Sequence, residues 1–176
     1  MKLSGVVSAL FEQAGWPLIV VGGSAIEFYT EGAYMSGDID FCRNRLTPLP
    51  LRLAQDLMGR LGATGGPRSW KVGGLFVDLL GFLENESLRP MNELETPYGK
   101  IRLIPPELLL VERVLAATNP TRNEDLIDVS KKLLATGLKG DATFDWQEVC
   151  RLASLPSFDV LAEVCALREE VERELG

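Results

Sequence analysis

The apolar run Pro17-Leu18-Ile19-Val20-Val21 breaks into Gly22-Gly23-Ser24, and after a spacer the chain alternates through Ser36-Gly37-Asp38-Ile39-Asp40-Phe41. This pair of segments restricts the fold more than any other feature. A short β-branched run bounded by a turn reads as a buried strand. The glycine pair lets that strand turn directly into a helix over Ser24–Thr30. A helix start offers backbone N–H groups without intrahelical partners, which makes it a ready anion site. Glycine allows a phosphate to approach the backbone closely, and the Ser24 hydroxyl can add a donor. In the next strand, Asp38–Cys42, side chains alternate faces. Asp38 and Asp40 share one face, and Ile39 and Phe41 point to the core. Two carboxylates this close repel each other, and Mg2+, which takes oxygen ligands, relieves the repulsion. Each half alone has a plain reading: a turn with Ser24 as N-cap, and the solvent face of an edge strand. Together, in this order, they combine a phosphate cradle with a metal-binding pair.

A third carboxylate belongs on a neighbouring strand. Leu75-Phe76-Val77-Asp78-Leu79-Leu80 supplies it, because Asp78 is the only charge in a run that otherwise reads as core. An acid there is costly unless it is paired or binds metal.

The rest of the chain is an α/β arrangement that becomes helical. The spacing predicts a helix over Leu3–Ala14, one introduced by Pro48 and Pro50 and running to about Leu61, a loop over Gly62–Pro67, and a hairpin of Trp70–Val72 with Leu75–Phe82 around Gly73-Gly74. A second strand pair, Glu93–Thr96 and Ile101–Ile104, turns at Pro97-Tyr98-Gly99. After Pro105-Pro106 the periodicity is helical: Glu107–Thr118, Asn123–Thr136, Trp146–Ala153 and Phe158–Leu175. The expected organisation is a mixed α/β part over residues 1–104 and a helical part over 105–176.

Composition narrows the chemistry. There is no histidine among the 176 residues, which removes Ser-His-Asp and Cys-His mechanisms and the usual zinc sites. Acid–base and metal work falls to carboxylates. Cys42, Cys150 and Cys165 have no metal-ligand spacing, and their odd number favours a reducing, cytoplasmic setting. No apolar run is long enough to span a bilayer. The net charge is −7. Residues 1–104 hold 10 basic and 11 acidic side chains, and residues 105–176 hold 8 and 14. Such a chain does not advertise general nucleic-acid affinity. The basic residues Arg43, Arg45, Arg52, Arg60, Arg68 and Lys71 read mostly as solvated charge. Trp16, Trp70 and Trp146 read as core or rim aromatics, and the final run of Glu169, Glu170, Glu172 and Glu174 as a solvated helix face.

The combination of a hydrophobic strand, Gly-Gly-Ser, a thirteen-residue spacer between Ser24 and Asp38, Asp-hydrophobic-Asp and a later Asp resembles the nucleotidyltransferase superfamily, the DNA polymerase β-like fold. The resemblance covers about residues 17–80. It implies a small mixed sheet flanked by helices, with two Mg2+ (or Mn2+) held by Asp38, Asp40 and Asp78. It also implies transfer of a nucleoside monophosphate from an NTP, ATP among them, to a hydroxyl acceptor. In the helical part, Glu112-Arg113-Val114-Leu115-Ala116, Arg122 and Asp125-Leu126-Ile127-Asp128 look like the minimal, AbiEii-type nucleotidyltransferases of bacterial toxin–antitoxin systems. Arg113 stands where lysine is usual, and Glu124 where arginine is usual. The resemblance places Arg113 and Asp125 with Gly22, Gly23 and Ser24 as nucleotide-binding residues, and it brings in a small protein partner. The acceptor stays open among RNA, a protein and a small molecule. The alternative is a non-catalytic relative that keeps the fold and binds a partner. A sugar-nucleotide transferase using Asp-x-Asp is a third reading, against which the chain is short and Gly22-Gly23-Ser24 is the wrong turn.

Overall fold

The computed structural model describes residues 2–43, 45–83, 89–140 and 144–176. The elements run α1 (Lys2–Gln13), β1 (Leu18–Val21), α2 (Gly22–Tyr29), β2 (Asp38–Arg43), α3 (Leu51–Arg60), β3 (Thr64–Gly65), β4 (Ser69–Val72), β5 (Leu75–Phe82), β6 (Asn92–Thr96) and β7 (Gly99–Leu103). Four helices follow: α4 (Pro106–Thr118), α5 (Glu124–Gly140), α6 (Trp146–Ala153) and α7 (Leu161–Leu175). The chain divides into two compact units. One is Met1–Ala25, Met35–Glu84 and Met91–Ile104; the other is Ile26–Tyr34, Asn85–Pro90 and Pro105–Gly176.

The first unit is built on an open, mixed seven-stranded sheet ordered β3-β4-β5-β2-β1-β7-β6. β1 pairs antiparallel with β2 and parallel with β7, and β2 pairs parallel with β5. Leu18 to Val21 are all buried, as expected of a central strand with both faces covered. α1 packs on β1 and β7. The approach is close because Gly5 and Gly99 leave room: a Cβ on Gly5 would sit 2.8 Å from Thr96 Oγ1, and one on Gly99 2.7 Å from Ala9 Cβ. Arg102 Nη2 donates to Glu12 Oε1 at 2.7 Å across the same contact, which holds the Glu12 carboxyl below its ordinary 4.5.

Two local features differ from the sequence reading. The Gly62–Pro67 segment contains β3, a two-residue strand paired with β4. And β5 is not core along its whole length: Val77 and Leu79 are buried, while Leu75 and Phe76 are about half exposed. The β3–β5 end of the sheet buries Trp70 on one face and leaves the other open. Gly66 is closed against that indole, since a Cβ there would meet Trp70 Cη2 at 2.7 Å.

The second unit centres on α4, whose Leu108, Leu109, Leu110 and Val111 are fully buried and which packs against α5, α6 and α7. α5 runs past Thr136 to Gly140, longer than its sequence pattern suggests. α7 starts at Leu161, after Asp159 adopts a φ of +50°. Lys131 binds Glu170 and Glu174 at 3.0 Å each, so part of the acidic terminal face is an ion-pair network. No helix among the described residues is long and apolar enough to cross a membrane.

Candidate active site

Strand register brings the three acids together. β2 and β5 run parallel with Asp40 opposite Asp78 and Asp38 opposite Phe76. Partners in register share a sheet face, and alternation puts Asp38 on that face too. One ligand oxygen from each of Asp38, Asp40 and Asp78 lies within 4.8 Å of the others. Ile39 and Phe41, on the opposite face, are buried, so the core fixes which way the acids point.

The glycine turn abuts this cluster from the β1 side. Val21 pairs with Asp40, and α2 begins at the next residue. Gly22 has a φ of +63°, the left-handed region that favours glycine. A Cβ there would also fall against Asp40 Oδ2. Backbone conformation and space therefore both require glycine at the point where turn meets carboxylate. Ser24 is buried. Its hydroxyl donates to Val21 O at 3.0 Å and accepts from Asp40 N at 3.3 Å. Through these two bonds Ser24 ties α2 to β2, beside the first backbone N–H groups of α2, which have no intrahelical partners.

The donor set fits a hard cation. It is three carboxylates with no nitrogen or sulfur, the chemistry that Mg2+ and Mn2+ take. Asp38 is exposed, and Asp40 and Asp78 are half-buried, which leaves one side of the cluster open. Asp78 Oδ1 is itself buried and finds no hydrogen-bond partner among the described residues. A buried carboxylate oxygen without a donor is costly unless a cation or proton meets it. Ser36, not singled out from the sequence as a site residue, donates to Asp38 Oδ1 at 2.8 Å. Its only sequence signal was its place two residues before the acid.

The remaining nucleotide-binding candidates lie in the second unit. Arg113 is on α4, half-buried, with its Nε buried and unpartnered among the described residues. Asp125 is in the first turn of α5 and exposed. Glu124, beside it, binds Arg122 with Nε to Oε1 at 2.6 Å. An acid at position 124 thus neutralises the nearest base rather than adding to it.

No protein-family model matches the chain, and no curated protein matches it. Solved structures do. The solution structure of the antibiotic-resistance factor ANT(2'')-Ia is 16% identical, covers 95% of this chain and 94% of its own, and superposes with a TM-score of 0.55. An antigenic nucleotidyltransferase-like protein from Paracoccidioides brasiliensis is 15% identical over 97% of this chain and 92% of its own, with a TM-score of 0.57. A crystal structure of ANT(2'')-Ia in complex with adenylyl-2''-tobramycin gives 16% identity, 94% of both chains and a TM-score of 0.51. The fold is the α/β fold of the nucleotidyltransferases, as the sequence motifs implied. At these identities the likeness is one of fold.

Proposed function

We propose that this chain is a metal-dependent nucleotidyltransferase that moves a nucleoside monophosphate from an NTP to a hydroxyl. The observation that carries this reading is the convergence of three carboxylates beside a glycine turn that opens a helix. Asp38, Asp40 and Asp78 would hold Mg2+, and the N-terminal backbone of α2 would receive the NTP phosphates. The acceptor oxygen bonds to the α-phosphorus as the bond from that phosphorus to the bridging oxygen breaks. Pyrophosphate leaves with the bridging oxygen, and the hydroxyl proton is released. When bound, Mg2+ supplies charge neutralisation on the phosphates and acidifies the attacking hydroxyl. Asp78 is on the strand farther from the glycine turn, so it faces the acceptor side, and its carboxylate would take up the proton. No histidine is needed. Arg113 and Asp125, which the α4–α5 motif marks, are further nucleotide-binding candidates on this reading.

Calorimetry with each NTP in Mg2+ tests it. Wild type binds, and Asp40→Asn, equally folded by circular dichroism, does not. A folded wild type that takes up no NTP would refute the enzyme reading in favour of a partner-binding role. The toxin–antitoxin role is supported by the α4–α5 motif alone. It predicts growth arrest on expression that a small partner protein relieves, and unaffected growth would rule it out.

A further inference from the structure

The open face of the β3–β5 end continues the face that carries the three acids. On β5, Phe76 lies two residues before Asp78, on the same side, and stands opposite Asp38 across the parallel pairing. On β4, Lys71 pairs with Phe76 and Ser69 with Asp78. Phe76 is 49% exposed, and Lys71 Nζ lies 5.8 Å from its ring centroid. Exposure at this end of β5 is on both faces, since Leu75 is 47% exposed as well, but Phe76 is the large aromatic on the face of the acids, while Val77 and Leu79 farther along are buried on the other. The charge is equally local. From Leu61 to Val77 the only charged residues are Arg68 and Lys71, and among the described residues neither makes an ion pair. A chain of net charge −7 therefore presents a ridge of base and aromatic at one edge of its acids.

The side matters. The glycine turn lies beyond β2 on the β1 side, so donor phosphates and this ridge flank the acids from opposite directions. We propose that Phe76 and Lys71 form the acceptor platform, and that the acceptor is nucleotide-based: a base stacks on Phe76 and its phosphate meets Lys71. This rests on the nucleotidyltransferase reading. The combination suits a planar ring joined to an anion, and Lys71 works against a polycation such as an aminoglycoside. The recognition is one nucleotide wide, so it does not require general nucleic-acid affinity. The nucleotide could be the end of a single-stranded RNA or a free mononucleotide.

The test uses two probes with the full chain in Mg2+. One is a five-nucleotide RNA with 2-aminopurine riboside at its 3' end; the other is 2-aminopurine riboside monophosphate. Stacking quenches the fluorophore. Wild type quenches at least one of them, and which one tells RNA end from free nucleotide. Phe76→Ala weakens that binding about tenfold or more, and Phe76→Trp restores it. Lys71→Ala weakens it too and flattens its salt dependence by about 0.7 in log–log slope. MgATP binding by calorimetry is unchanged in Phe76→Ala. If wild type binds MgATP but quenches neither probe, the platform is overturned and the nucleotidyltransferase reading stands. If Phe76→Ala loses MgATP instead, the ring serves the donor base and the proposal is overturned. A wild type that binds none of the NTPs in Mg2+ counts against the parent reading.

Discussion

Gly22 shows how one residue can be held by two independent constraints. Its positive φ would cost a residue with a Cβ about 1–2 kcal/mol, and that Cβ would also displace the Asp40 carboxylate. Gly22→Ala is therefore expected to cost at least that much in urea unfolding and to lose Mg2+ affinity as well. A variant that binds Mg2+ like wild type would show that Asp40 does not need its present place. Asp78→Asn separates chemistry from packing. It removes a charge from a crowded cluster, so folding stability holds or rises, while transfer falls more than about 100-fold, beyond the usual cost of losing even an outer-shell partner of a metal ligand. Equal activity in a radiolabelled-NTP assay would remove Asp78 from the site. The acids themselves were legible from sequence because a period of two is unforgiving: buried Ile39 and Phe41 leave Asp38 and Asp40 only one face. The role of Ser24 was not legible, since nothing in Gly22-Gly23-Ser24 says that the hydroxyl bonds back to Val21 and Asp40.

At the scale of elements, the junction of α4 and α6 turns on one buried acid. Glu107, 1% exposed, accepts from Asp145 N at 2.9 Å through Oε1. Its Oε2 has no partner among the described residues. Arg89 stands 3.9 Å from Oε1 and 4.0 Å from Asp145 Oδ2. Burial pushes the Glu107 carboxyl above its ordinary 4.5, against the backbone hydrogen bonds and Arg89. The native state then holds this proton more tightly than the unfolded chain, so its contribution to stability is full below about 4.5 and is lost as pH rises through the raised value. Glu12 has the opposite sign: its carboxyl is lowered by Arg102, and that contribution is lost as pH falls. Glu107→Gln is expected to flatten the loss of stability on the alkaline side of 4.5 in urea titrations, and an unchanged pH profile would contradict it. Asp145 also caps α6 by accepting from Gln147 N and Glu148 N, so Asp145→Ala should cost about 1 kcal/mol. The elements that sequence periodicity misjudged are those decided by distant packing. α5 continues through Gly137, where the Phe144 ring packs so closely that a Cβ would sit 2.8 Å from its Cδ2, and helical spacing alone gives no notice of that ring. β3 is two residues long and exists only through its pairing with β4.

At the scale of the molecule, the sheet concentrates negative charge at the seam of β2 and β5, and on the proposed function a bound cation offsets it. Three carboxylates with ligand oxygens within 4.8 Å repel one another in the metal-free protein, which lowers its stability at neutral pH. A cation that binds the native site and not the unfolded chain adds stability by mass action, about 2.7 kcal/mol at a hundredfold excess over its Kd. For a chain of this size that is roughly 5–10 °C in Tm. Wild type in EDTA is thus expected to melt lower, and Mg2+ or Mn2+ to raise its Tm in a concentration-dependent way. Asp40→Asn should melt higher than wild type in EDTA and gain little from either ion, so the two melting curves cross as metal is added. Ca2+, with oxygen preferences of its own, should stabilise the fold without supporting transfer. If Asp40→Asn gained as much from Mg2+ as wild type, the ion would be binding elsewhere, and the seam would be a cluster of solvated acids rather than the centre around which the turn, the register and the open β3–β5 face are arranged.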